Sequence, residues 1–203
     1  KADAVNNALT QAASGGNLLV VKKLFKKRGD DIDVNAVSSQ GATALYQTIY
    51  DGNIGIATFL LQIKGIDVNK PTELGTTPLI TASQNGHVEI VTMLLGVEGI
   101  QLNGSDIEGG TPLFAASQNN HLEIVKLLLG AEGIDINQPM NDGVTPLLFA
   151  SQEGHVEIVK LLLGAEGIEI NQPKNDGGTA LAMAKQQKHT EIVQLLTAAG
   201  ATE

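Results

Sequence analysis

The stretch from Asp142 to Asn175, DGVTPLLFASQEGHVEIVKLLLGAEGIEINQPKN, decides the fold, because it is one copy of a unit that the chain repeats. Thr43, Thr77, Thr111, Thr145 and Thr179 each open a Thr-Pro-Leu or Thr-Ala-Leu step, and each lies 34 residues from the next. The parallel continues through Ala82-Ser83-Gln84-Asn85-Gly86-His87, Ala116-Ser117-Gln118-Asn119-Asn120-His121 and Ala150-Ser151-Gln152-Glu153-Gly154-His155. A weaker sixth copy starts near Asn7-Ala8-Leu9 and passes through Gly16-Asn17. It carries two extra residues around Gly29-Asp30 before Ile32-Asp33-Val34-Asn35 rejoins the pattern. Periods of roughly 20–50 residues mark stacked repeat architectures.

Each copy reads as a helix, a turn, a second helix and an extended arm. Thr before Pro places a capping hydroxyl beside the residue best tolerated at the first helical position. The first helix, about nine residues long on the periodicity rules, stops at Gly52, Gly86 or Gly154, where glycine suits a left-handed cap. The second helix, as in His155 to Leu163, has Glu157 in its first turn, favourable for the helix dipole. Ile158, Val159, Leu161, Leu162 and Leu163 make it apolar on nearly every side, which predicts burial between neighbours. Gly164 and Gly167 end it. Ile168-Glu169-Ile170-Asn171 then alternates like a short strand, and Asn175-Asp176-Gly177 supplies a tight turn. Helices this short are marginal alone, so adjacent copies must cover one another, as in a linear solenoid.

Composition narrows the function. Aromatic residues are only 3%, which argues against a large pocket for a base, sugar or flavin. Without a cysteine there is no disulfide, thiolate metal site or cysteine nucleophile, and the expected setting is intracellular and cytoplasmic. No apolar run approaches the roughly 20 residues that span a bilayer, and Lys1-Ala2-Asp3 lacks signal-peptide character. A first residue other than Met suggests a processed chain or an excised fragment. The net charge of −9 speaks against nucleic acid as the main partner. The charge is uneven: residues 1–28 hold six basic groups and one acidic, residues 29–203 seven and twenty-one. Most of the difference lies in Lys22, Lys23, Lys26, Lys27 and Arg28, a cluster that reads first as a solvated helix face.

No constellation for catalysis survives inspection, and the chain reads as no enzyme and as needing no cofactor. His87, His121, His155 and His189 occupy one place in successive copies. Stacked helices sit about 10 Å apart, whereas zinc holds its ligands at roughly 2 Å. Equivalent histidines therefore cannot share an ion, and a hydrogen bond at the helix–helix turn is the expected role. Glu123 and Glu157 precede Lys126 and Lys160 by three residues, the spacing of ordinary surface pairs. The glycines mark turns, with no phosphate-binding fingerprint between strand and helix, and the serines occupy no nucleophile elbow.

The run Asp142-Gly143-Val144-Thr145-Pro146-Leu147, followed by Ala150, Gly154-His155 and Glu157-Ile158-Val159-Lys160-Leu161-Leu162-Leu163, resembles the ankyrin repeat. The match recurs across nearly the whole chain. It implies an all-α solenoid of six helix-turn-helix units with β-hairpin-like connecting loops. One domain is expected over residues 1–203, with an N-terminal capping repeat at 1–37, four internal repeats at 38–173 and a C-terminal capping repeat at 174–203. Lys23 stands where inner copies have Phe59, Met93, Leu127 and Leu161, and Lys185 replaces Ser83, Ser117 and Ser151; polar outer faces suit terminal units. Two features depart from the family. The Gly-Ala-Glu-Gly loops at 130–133 and 164–167 add a residue to the usual 33. Tyr46, Ile80, Phe114, Leu148 and Ala182 stand where the family favours His after Thr-Pro-Leu, so apolar packing is expected to replace the usual Thr–His bond. Asn35, Asn69, Asn103, Asn137 and Asn171 are expected to anchor the turn that follows each arm.

The resemblance implies a protein-binding module whose hairpin tips and first helices line a concave groove. Residues three and four apart share a helix face, which selects Gln47, Tyr50, Asp51, Thr81, Gln84, Asn85, Gln118, Asn119, Phe149, Gln152, Glu153 and Met183. The variable tips add Glu73, Leu74, Ile107, Glu108, Asn141 and Asp142. Tyr50, Leu74, Ile107 and Phe149 are the expected anchors, with partial burial the competing role for Phe149. The acids favour a protein partner with a basic or neutral surface. A monomer that engages neither nucleic acid nor membrane is expected. Competing readings are a structural spacer or self-associating array, a regulatory segment of a larger enzyme, and a designed ankyrin scaffold.

Overall fold

A computed structural model describes residues 2–28, 32–38 and 41–202. The two extra residues near Gly29-Asp30 fall outside them. Twelve α-helices and no strand occur among the described residues. The chain divides into two compact units, Lys1–Gln101 and Leu102–Glu203. Unit 1 contains the pairs α1 (Ala2–Ser14) with α2 (Leu18–Arg28), α3 (Ala44–Tyr50) with α4 (Ile54–Leu61), and α5 (Pro78–Gln84) with α6 (Val88–Leu95). Unit 2 contains α7 (Pro112–Gln118) with α8 (Leu122–Leu129), α9 (Pro146–Glu153) with α10 (Val156–Leu163), and α11 (Ala180–Gln186) with α12 (Thr190–Ala198). Within each unit the first helices pack in one row and the second helices in another: α1–α3–α5 over α2–α4–α6, and α7–α9–α11 over α8–α10–α12.

The repeating sequence explains each boundary. Thr43, Thr77, Thr111, Thr145 and Thr179 are extended, and each Oγ1 accepts the N–H three residues on at 3.0–3.3 Å. That satisfies one of the orphan donors at a helix start. The first helices run seven or eight residues after α1, shorter than the predicted nine, because the left-handed cap closes them early. Gly52, Gly86 and Gly154 take that conformation at φ 69°, 77° and 82°. Asn120 and Lys188 hold the same place at φ 58° and 63°, although neither is glycine. Past this residue a backbone N–H reaches back into the helix, as from His155 to the Ala150 carbonyl at 2.9 Å, closing the Schellman pattern.

The second helices supply the core. Leu60, Leu94, Leu128, Leu162 and Leu196 stand one repeat apart and are all fully buried, as are Val91, Val125 and Val159. Each such side chain contributes about 1.5–3 kcal/mol by leaving water, which is what lets eight-residue helices persist. Leu161 and Leu163 are only half-buried, so the prediction of burial on nearly every side holds for one face rather than the whole helix. On the first helices the expected apolar substitute for the family's His is found at Ile80, Phe114 and Leu148, exposed by 2%, 3% and 0%. Tyr46 and Ala182 at the same place are half-buried.

The arms differ from the strand-like expectation. Asp33, Asp67 and Asp135 each accept the N–H two residues on through Oδ1 at 3.0 Å, folding the arm into a turn. Period-two patterning here buries Val34, Val68 and Ile136 without building a ladder. The asparagines at the arm ends reach further than the following turn. Asn137 Nδ2 donates to the Gly167 carbonyl at 2.8 Å, and its Oδ1 accepts the N–H of Glu169 at 2.9 Å. Asn35, Asn69 and Asn103 make the same pair of bonds to Gly65 and Asp67, Gly99 and Gln101, and Gly133 and Asp135. Each asparagine thus staples its own arm to the next one. The tips are hairpin-like without strands: Met140 donates to the Val144 carbonyl at 3.0 Å and Gly143 to the Met140 carbonyl at 2.9 Å.

Candidate functional site

The candidate residues fall on first helices and tips, and the two units present them differently. In unit 1 Tyr50 ends α3 with 55% of its surface exposed, its ring stacked on Tyr46 at 6.5 Å. The four-residue spacing on one helix brings those rings together. Gln47 donates to the Asp51 carboxylate at 3.0 Å, so this pair and Tyr50 form a polar edge beside an apolar ring. Leu74 projects from its tip at 61% exposure, and the neighbouring Glu73 is exposed and lies against Gly41. Gln84 and Asn85 are exposed at the end of α5, and Asn85 Nδ2 donates back to the Tyr50 carbonyl at 3.2 Å. Thr81 corrects the reading of its helix face. It is 3% exposed and donates to the Thr77 carbonyl at 3.1 Å, so it lies beneath the surface. Its predecessor by one repeat, Gln47, is larger and half-buried at the edge of a cleft of about 430 Å³ lined also by Asn7, Thr10, Ser14 and Ser38.

In unit 2 Ile107 is the exposed apolar tip at 61%, followed by exposed Glu108. Asn141 and Asp142 are exposed, but the Asn141 side chain is engaged: Nδ2 donates to the Ile107 carbonyl at 2.8 Å, and its backbone N–H donates to Glu108 at 2.9 Å. Asn175 repeats both bonds to Asn141 and Asp142 at 3.0 and 2.9 Å. This tip ladder escaped the sequence reading, although the signal was present in Asn-Asp-Gly recurring at 141–143 and 175–177. Gln118 and Asn119 are exposed, and Asn119 caps its own helix by donating to the Ala115 carbonyl at 2.9 Å. Phe149 is half-buried, edge-on to Phe114 with ring centroids 5.4 Å apart. Gln152 donates to exposed Glu153 at 3.0 Å, and Met183 is half-buried.

His87, His155 and His189 do not serve their own turn. His155 Nε2 lies 3.3 Å from the Gln118 carbonyl, His87 3.3 Å from that of Tyr50, and His189 2.9 Å from that of Gln152. A carbonyl only accepts, so Nε2 carries the hydrogen. Each of these three rings therefore satisfies a helix end in the preceding repeat, and two rest on its glycine: a Cβ on Gly52 or Gly154 would stand 2.8 Å from the His87 or His189 ring. On the second helices Lys126 pairs with Glu123 at 2.7 Å, and Lys160 bridges Glu157 at 2.8 Å and Glu191 at 3.0 Å. Hydrogen bonds to Glu157 and then Glu191 raise the Lys160 pKa. Among the described residues no group of three or more His, Asp or Glu could hold a metal ion, and no helix is long and apolar enough to cross a membrane.

A family model for ankyrin repeats (3 copies) matches residues 2–72, 67–140 and 133–202. The chain belongs to the ankyrin repeat family. Among solved structures it is similar to an ankyrin repeat domain from Acinetobacter baumannii, at 32% identity and TM-score 0.87 over 96% of this chain and 98% of that one. It is equally similar to an ankyrin repeat protein at 30% identity and TM-score 0.87, covering 95% and 97%. No curated protein sequence matches. The fold is thus the all-α ankyrin-repeat solenoid, built from six helix-turn-helix units. Ankyrin repeats are in general protein–protein interaction modules and a non-catalytic fold.

Proposed function

We propose that this ankyrin repeat chain binds a partner protein through the tips and first-helix faces of its repeats, with Tyr50, Leu74 and Ile107 as anchors. The exposure of these three side chains, at 55%, 61% and 61%, carries the reading. Large apolar groups that neighbours could have covered, but do not, concentrate binding energy when a partner excludes water from them. Asp51 and Glu73 in unit 1, and Glu108, Asp142 and Glu153 in unit 2, are exposed acids on the same elements, which favours a basic or neutral partner surface. Phe149 and Thr81 support the framework instead of the contact.

Capture of partners from a cell extract, identified by mass spectrometry, tests this. The wild-type chain retains a specific protein that the Tyr50→Ala/Ile107→Ala variant loses by about tenfold or more. Equal retention by the two chains would remove the reading. A binding constant unmoved by salt and by joint neutralisation of the acids would leave the anchors standing and remove the preference for a basic partner.

A further inference from the structure

Helix α2 has one covered flank and one open flank. Towards α4, Phe25 meets the Phe59 ring edge-on at 5.3 Å, and the Lys22 ammonium lies 5.8 Å from the centroid of the same ring. At about 3.6 residues per turn, Val20, Lys23, Leu24 and Lys27 share the opposite flank. They hold the places that Ile56, Phe59, Leu60 and Ile63 hold one repeat on. Ile56 and Leu60 are 2% and 0% exposed, whereas Val20 is 39% exposed and Leu24 half-buried. On α1, Ala8 is half-buried where its counterpart Ala44 is buried. In the later repeats of unit 1 a neighbouring helix pair covers these places. Among the described residues nothing covers them in the first repeat.

The open flank has both a hollow and a charge. Ala8, Gln11, Ala12, Gly15, Asn17 and Val20 line a cleft of about 400 Å³ between α1 and α2. Beside it Lys23 and Lys27 stand exposed, one turn apart, where the next two repeats have Phe59 and Met93, and Ile63 and Val97. Neither lysine pairs with a carboxylate among the described residues, in contrast to Lys126 and Lys160 on the equivalent helices of unit 2. Neither α2 nor α4 contains an acidic residue to neutralise them. We infer that this flank, Val20–Lys23–Leu24–Lys27 with the cleft between α1 and α2, seats an acidic amphipathic helix of a partner protein. Its apolar side chains fill the cleft against Val20 and Leu24, and carboxylates one turn away meet Lys23 and Lys27. A helix fits because the same places in the next repeat lie buried in helix packing. The site shares no residue with the anchors Tyr50, Leu74 and Ile107 and has the opposite charge preference, so it stands or falls apart from them.

Peptide display tests it. A random library of peptides about 16 residues long, enough for a helix, is panned on the 203-residue chain and counter-selected on Val20→Gln, which keeps every charge. The enriched peptides carry Asp or Glu three or four positions from Leu, Ile or Val, and a labelled one binds in fluorescence anisotropy with a Kd on the order of 10 µM. Lys23→Glu/Lys27→Glu weakens that binding about tenfold or more. Lys22→Glu/Lys26→Glu, the same charge change on the other side of α2, weakens it less than about threefold. Exchanging the peptide's acids for lysines restores binding to Lys23→Glu/Lys27→Glu, which guards against a variant that simply unfolds. Enriched peptides without acids overturn the inference, as does equal loss from the two lysine pairs or a charge exchange that restores nothing. Without acidic peptides, flotation with phosphatidylserine vesicles that Lys23→Glu/Lys27→Glu abolishes assigns the flank to a membrane and overturns it too. Concentration-dependent sedimentation lost in the same variant does so in favour of a second copy.

Discussion

Glu73 in unit 1 occupies the tip position that Asn141 and Asn175 occupy in unit 2. The asparagines tie tip to tip through their side-chain amides and draw the backbones close, so that a Cβ on Gly143 would stand 2.7 Å from the Asn175 nitrogen. Glu73 only leans on Gly41, where a Cβ would meet it at an ordinary 3.6 Å. The anchors diverge in the same sense. Tyr50 is left exposed beside Tyr46, whereas Phe149 is drawn edge-on against Phe114. One repeat plan therefore yields tips laced through Asn141 and Asn175 in unit 2 and an unlaced tip at Glu73 in unit 1. Positions that vary between repeats can serve either cohesion or recognition, and hydrogen bonding decides which.

That contrast can be broken at the glycines first. Gly143→Ala combines a left-handed φ of 86° with a backbone clash, and a loss of about 3 kcal/mol or more in urea unfolding is expected. Gly41→Ala, at φ 76° but with room, costs about 1 kcal/mol. Equal losses would mean that the tips of both units are equally tight.

The aromatic pair separates stability from binding. Phe149→Ala leaves a gap beside Phe114 and lowers stability by about 2 kcal/mol. Tyr50→Ala stays within about 0.5 kcal/mol of wild type in the same measurement, and its effect appears in partner capture. If Tyr50→Ala proves the more destabilising, the unit 1 face is framework and not a contact surface.

Smaller effects sharpen the picture. Lys188 adopts φ 63° where the five other repeats have glycine or asparagine, so Lys188→Gly raises stability by about 1 kcal/mol in calorimetry. Asn120→Gly gains less, since asparagine tolerates this conformation. At the unit 2 tip Lys174 Nζ lies 2.6 Å from Asp176, and with the Gly178 N–H it holds that carboxyl below its usual pKa. The folded state then gives up this proton more readily than the unfolded chain. Its stabilisation is full above the ordinary carboxylate range and is lost as pH falls through the depressed value. Lys174→Met removes the larger cause, so the decline of Tm below about pH 4 becomes shallower. An unchanged acid limb would show the pair to be energetically silent.

Much of the fold was legible in the residues. Thr145-Pro146, Gly154 and the leucines at 60, 94, 128, 162 and 196 specify caps, turns and core by local chemistry that acts within a few residues. Repetition at a fixed period then requires like elements to stack. The candidate face was legible as positions but not as roles. Thr81 and Gln47 hold one place in the repeat, yet only the shorter side chain sinks below the surface.

What the tertiary structure decided is where each polar group spends its hydrogen bonds. His87, His155 and His189 serve carbonyls of the preceding repeat, the arm asparagines serve the next arm, and the arms turn where alternation suggested strands. None of this follows from sequence spacing alone, because a donor can bond locally, to a neighbouring repeat or to water at similar free energy. The acceptor that happens to lie within about 3 Å after packing settles the choice. The apolar pattern, by contrast, has one acceptable solution, which is why it was enough to set the helix pairs in a stacked row.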